Sequence, residues 1–76
     1  MILLTVTEGN GVMTRVPVGV NAIALQMAIY FQDEAGLEVE LDNVETFTVT
    51  DDQEEQRANY LRSEWRCFGN PLMAVS

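Results

Sequence analysis

Two alternating runs flank Gly9-Asn10-Gly11 near the start of the chain, and together they admit one pairing. Ile2, Leu4 and Val6 fall on one side of an extended strand, with Leu3, Thr5 and Thr7 on the other. Val12, Thr14, Val16 and Val18 alternate likewise, and the step between the runs is a strong hairpin signal. A two-residue loop would pair Val6 with Met13 or Arg15 and send the two apolar sets to opposite faces. A three-residue loop pairs Ile2 with Val18, Leu4 with Val16 and Val6 with Thr14. Register therefore selects the longer loop, with Gly11 as the left-handed residue of a bulge. Pro17 cannot donate to a ladder, which places the second strand at a sheet edge.

After the hairpin the period changes from two to that of a helix. Asn21 is suited to N-cap a helix running to about Ala35, with Gly36 as its stop. Ala24, Met27, Ala28, Phe31 and Ala35 form one wide stripe, and Leu25 and Ile29 fall almost opposite. A helix apolar on two sides has to be sandwiched, by a second helix or by another chain. Leu25 and Ile29 are thus the candidate oligomer contacts, and a homodimer is expected. Leu37, Val39 and Leu41 then alternate with Glu38, Glu40 and Asp42 in a strand that is apolar inward and acidic outward. Glu45 to Thr50 resumes the alternation with Phe47 and Val49 inward, and a second hairpin through Asp42-Asn43-Val44 is favoured over one long bent strand. That register pairs Val39 with Phe47 and sets Glu45 across from Leu41. Asp51 and Glu54 match a capping box for a second helix, with Ala58, Leu61, Trp65 and Phe68 on its buried side. The helix should end at Gly69-Asn70-Pro71, and Leu72 to Val75 is read as a short edge strand. The expected fold is one α+β domain over residues 1–76: an antiparallel sheet of three or four strands with two helices on one side, ordered ββαββα or ββαβα.

Composition narrows the chemistry. The 76 residues include no histidine, no lysine and one cysteine, so Cys67 has no intrachain disulfide partner and a tetrahedral zinc site lacks its usual ligands. An apolar fraction of 47% is that of a folded domain. A chain this short nevertheless buries only about 60–65% of its unfolded surface. Met1-Ile2-Leu3-Leu4 lacks a basic leader, and the apolar run Ala22 to Phe31 is half a membrane span, so a cytoplasmic location is expected. A net charge of −8 opposes direct contact with nucleic acid or an anionic membrane. No cofactor or metal is expected. Asp51, Asp52, Glu54 and Glu55 lack the spacing and glycine of a calcium loop, and Cys67 has no histidine to activate it. Cys67 is read as a small buried or half-buried side chain, and the chain as a non-enzyme.

The acids are segregated. Asp33, Glu34, Glu38, Glu40, Asp42, Glu45, Asp51, Asp52, Glu54 and Glu55 follow one another without an intervening base, while all four arginines lie outside that stretch. On a strand, Glu38, Glu40 and Asp42 project from one face at ~6.7 Å intervals. That is roughly twice the axial charge spacing of one DNA strand, a pattern able to occupy a phosphate-binding groove. Glu38, Glu40, Asp42, Glu45, Asp51, Asp52, Glu54 and Glu55 are therefore the candidate partner-binding residues. The plainer reading is a solvated face plus acids stabilising a helix N-terminus. Arg57 can pair with Glu54, whereas Arg62 and Arg66 have no acid a turn earlier and sit beside Tyr60 and Trp65. Tyr60, Arg62, Trp65 and Arg66 form a candidate second contact, unless the arginines reach across to relieve the acidic strand.

With its opening strand Met1-Ile2-Leu3-Leu4-Thr5-Val6 and its acid block Asp33 to Glu55, the chain resembles the small stand-alone acidic proteins of bacteriophages and mobile elements. Those proteins inhibit host machinery, including CRISPR effector complexes and RNA polymerase, by occupying a basic or nucleic-acid-binding surface. The resemblance implies a partner that is a larger protein or nucleoprotein complex with a basic surface. The ββα opening followed by a strand is also similar to the β-grasp fold, from which a long helix over Asp51 to Phe68 departs. The alternative expectation is a structural or regulatory subunit that oligomerises through its apolar helix, the acids serving solubility.

Overall fold

The hairpin closes in the register that the alternation demands. In a computed structural model of the chain, which describes residues 1–69, β1 (Ile2–Thr7) and β2 (Met13–Val18) are antiparallel. Ile2 lies opposite Val18, Leu4 opposite Val16 and Val6 opposite Thr14. Past Thr7, the Glu8 amide donates to the Val12 carbonyl and the Gly11 amide to the Glu8 carbonyl, each at 2.9 Å. Gly11 turns the chain at φ 87°, a conformation that costs a residue with a β-carbon about 1–2 kcal/mol.

A third strand, β3 (Glu38–Asn43), pairs antiparallel with the other side of β1, giving the sheet order β2-β1-β3. The architecture is α+β, with the elements in the order ββαβα. β2 and β3 are thus edge strands. Ladder alternation turns Met13, Arg15 and Pro17 away from β1, so the amide that proline lacks would have faced outward and costs no sheet bond.

The inner face of the sheet carries Leu4, Val6, Val16 and Val18, which form one core with residues from both helices. Helix α1 (Asn21–Ile29) continues into a π-helical turn, Tyr30–Glu34. Ala24, Met27, Ala28 and Phe31 are buried, as the stripe requires. Tyr30 joins them, its ring edge-on to Phe31 at 5.2 Å, because the wider turn brings two consecutive rings to the core side. The helix stops at Gly36, φ 70°, where the Leu37 amide returns to the Phe31 carbonyl at 2.8 Å. Asn21 does not cap it. Val20 holds the cap position and Asn21 is the first helical residue.

Helix α2 (Asp52–Glu64) is capped by Asp51, whose carboxylate accepts from the Gln53 and Glu54 amides at 2.9 and 3.4 Å. It buries Ala58 and Leu61 and lies along β2. A second π turn, Trp65–Gly69, keeps Trp65 inside but swings Phe68 out to 77% exposure, against the helical spacing that placed it in the core. The helical stretch reaches Gly69, the last described residue, and the stop expected over Gly69-Asn70-Pro71 and the strand read over Leu72 to Val75 extend outside the described residues.

No second hairpin forms. Val39 pairs with Val6 of β1, not with Phe47, and no strand follows Asn43 among the described residues. Residues 44–51 instead lead from β3 to α2 across the outer face of the sheet. Phe47 lies under the Arg15 guanidinium, 5.1 Å from ring centroid to Arg15 Cζ. Leu3 and Thr5, which point outward, are only 8% and 9% exposed, which requires a cover of this kind. Val44 donates to the Met1 carbonyl at 3.0 Å and so continues alongside β1, which removes it from the Asp42-Asn43-Val44 turn that the hairpin needs.

Candidate functional site: the acidic edge of the sheet

The fold leaves Asp33 and Glu34 in the π turn after α1 and divides the candidate acids into two groups, with Glu45 between them. Glu38, Glu40 and Asp42 stand in a row on the outer face of β3, opposite Thr7, Thr5 and Leu3 of β1, and all three are exposed. The strand alone produces this row, because every second side chain faces the same way. Glu45 is exposed but follows the strand, so it does not extend the row through a hairpin. Asp51, Asp52, Glu54 and Glu55 gather at the start of α2, a helix that packs on β2, the strand at the opposite edge of the sheet from β3. Asp51 is occupied as the cap, and the half-buried Glu54 is held by Arg15, with Nε to Oε1 at 3.0 Å and Nη2 to Oε2 at 3.3 Å. Asp52 and Glu55 remain exposed in the first turn, where the helix dipole favours them.

Three of the four arginines are committed elsewhere than the β3 row. Arg15 is clamped between Glu54 and Phe47. Arg57 does not pair with Glu54. It grips Glu8, at the hairpin end, through both arms of its guanidinium, and stacks 4.5 Å from the Tyr60 ring centroid. The hydrogen bond to Glu8 raises the Arg57 pKa. Arg62 donates to the outward Pro17 carbonyl at 3.1 Å and to Asn59 Oδ1 at 2.8 Å. Burial, and then the like charge of Arg66, push its pKa down. Arg66 is exposed. Neither Arg62 nor Arg66 pairs with an acid of β3 among the described residues, so the reading in which they relieve that strand fails.

The second candidate contact does not assemble as one patch. Trp65 is core at 6% exposure, Arg62 ties α2 to β2, and only Tyr60 and Arg66 are open to solvent. Cys67 is exposed, contrary to the buried or half-buried position expected of it, because it lies about 200° around the helix from the buried Trp65, on the face away from the core. No three His, Cys, Asp or Glu side chains among the described residues are placed to hold a metal ion.

Two features of the edge escape sequence reasoning. Ladder alternation directs the Glu38, Glu40 and Asp42 main-chain groups to β1 and turns those of Val39, Leu41 and Asn43 outward. Gln32 Nε2 donates to the Val39 carbonyl at 3.3 Å, the one side-chain hydrogen bond to this edge among the described residues. Leu25 and Ile29 lie on the same side of the helix as Gln32, at helical spacing, and remain 56% and 57% exposed. Neither is covered by α2. Leu25 shares a recess of about 210 Å³ with Ile2, Asn21, Ala24 and the partly exposed Leu41. Knowing that β3 is an edge, and which edge, would have exposed this shelf, and that depends on pairing rather than on residue pattern.

No described helix is long and apolar enough to cross a membrane. Compared with models of protein families, with curated proteins and with solved structures, the chain matches none.

Proposed function

We propose that this chain is a small acidic binding protein that inhibits or modulates a larger macromolecular complex by occupying a basic, nucleic-acid-binding surface. The observation that carries this reading is the row Glu38, Glu40 and Asp42. It is exposed on an edge strand, while the ion pairs formed by the arginines lie elsewhere. Adjacent carboxylates without a counter-charge repel one another, and a basic partner removes that repulsion while steering association. The chain acts as a binder in the cytoplasm and not as a catalyst, in the manner of the anti-CRISPR and host-takeover proteins it resembles. The lack of histidine and lysine supports the same reading.

Affinity capture from a bacterial lysate tests it, comparing the wild type with the double variant Glu38→Lys, Glu40→Lys. The wild type retains a basic complex that duplex DNA competes away and the variant does not retain. Equal retention by both, with DNA without effect, overturns the proposal. The exposed Leu25 and Ile29 support a second reading, a subunit that self-associates through α1. Light scattering at micromolar concentration gives twice the monomer mass in that case, and Leu25→Glu restores the monomer.

A further inference from the structure

We propose that the open edge of β3 accepts an extended segment of a partner protein by strand addition, and that this segment alternates basic with apolar residues. The inference rests on the proposed reading of the acidic row and specifies the form of the partner. Three observations meet at this edge. The outward amide and carbonyl of Leu41 have no partner among the described residues, and unsatisfied groups on an edge strand are a template for another strand. On the outer face, Glu38, Glu40 and Asp42 stand beside the position that an added strand would take. On the inner face, Leu41, Leu25 and Ile29 form an apolar shelf along the same edge.

An added strand presents alternate side chains to these two faces, about 4.8 Å from β3. One set meets three carboxylates and the other meets three exposed aliphatic side chains, so the matching sequence alternates lysine or arginine with valine, isoleucine or leucine. The same geometry argues against a second copy of this chain. Pairing β3 with β3 would set two acidic rows side by side, and like charges on neighbouring strands are destabilising. The acids thus reject self-pairing and admit a basic strand.

The probe is a synthetic peptide of about eight residues that alternates lysine and valine. Its control has the same composition arranged as a lysine block and a valine block. The full-length protein is followed by amide hydrogen exchange at Leu41 and by titration. The alternating peptide protects the Leu41 amide, and N-methylation of one of its two amide sets weakens binding at least about tenfold, while methylation of the other set changes little. The block peptide binds more weakly and leaves Leu41 exchanging. If both peptides bind equally and Leu41 stays unprotected, strand addition is wrong while the acidic surface still binds base. If neither binds even at low salt, the acidic-surface reading falls with it. A Leu41 amide already protected in the free protein shows the edge to be occupied by this chain itself, and that also overturns the proposal. Protection that rises with concentration then identifies a second copy.

Discussion

Arg57 illustrates how individual side chains hold so small a domain together. Its guanidinium joins the hairpin end, through Glu8, to the middle of α2, and its flat face rests on Tyr60. An exposed ion pair is worth up to about 1 kcal/mol, and a cation–π contact adds roughly 0.5–1 kcal/mol. Arg57→Ala should therefore lower unfolding free energy by about 1–2 kcal/mol in chemical denaturation. Arg66→Ala, at an exposed position, should change it by no more than about 0.5 kcal/mol. Tyr30 gives a pH-dependent prediction. Burial, with Glu64 3.4 Å from its hydroxyl, raises the phenol pKa above the model-peptide value of 10.0. A raised folded pKa contributes stability that is complete below pH 10 and is lost as pH climbs through the folded value, because the unfolded chain ionises first. Tyr30→Phe should thus flatten the alkaline limb of a stability–pH curve. An unchanged slope above pH 10 would assign that limb to another group.

At the scale of elements, termini and turns can be tested one at a time. Asp51→Ala removes the only side-chain cap seen on either helix among the described residues and should cost about 1 kcal/mol. Gly36→Ala forces a β-carbon into the left-handed region and should cost about 1–2 kcal/mol, read as a lowered melting temperature. Cys67→Ser, on an exposed turn, should leave both stability and partner binding intact. The local elements were legible in sequence wherever a short-range rule governs them. The Gly9-Asn10-Gly11 register, the apolar stripe of α1, the stop at Gly36 and the Asp51 cap all follow from neighbours within a few residues. The failures share a cause as well. Both π turns break the 100° period, so Tyr30 entered the core and Phe68 left it without any change in residue type. Phe47 was read inward because it alternates with polar neighbours, yet its place is set by Arg15, which is distant in sequence.

The whole molecule separates its charge by topology. Acids contiguous in sequence are split between β3 and the start of α2 because residues 44–51 cross from one sheet edge to the other. Sequence identified the row Glu38, Glu40, Asp42 from period-two alternation alone. It could not show that Glu54 is consumed by Arg15, that Trp65 is core, or that Leu25 and Ile29 border an open strand edge. Each of those depends on which elements meet. The central claim is that the β3 row carries the affinity, and it is tested most directly by titrating the captured basic partner. Wild type and the Glu38→Lys, Glu40→Lys variant are compared at about 50 mM and about 300 mM salt. Both side chains face solvent, so the variant should fold as the wild type does, and its circular dichroism is checked first. The account predicts that the double reversal weakens binding by at least about 2 kcal/mol, roughly thirtyfold, and that wild-type affinity falls as salt rises. Affinity indifferent to both the reversal and the salt would contradict it and leave the acids as solubilising charge.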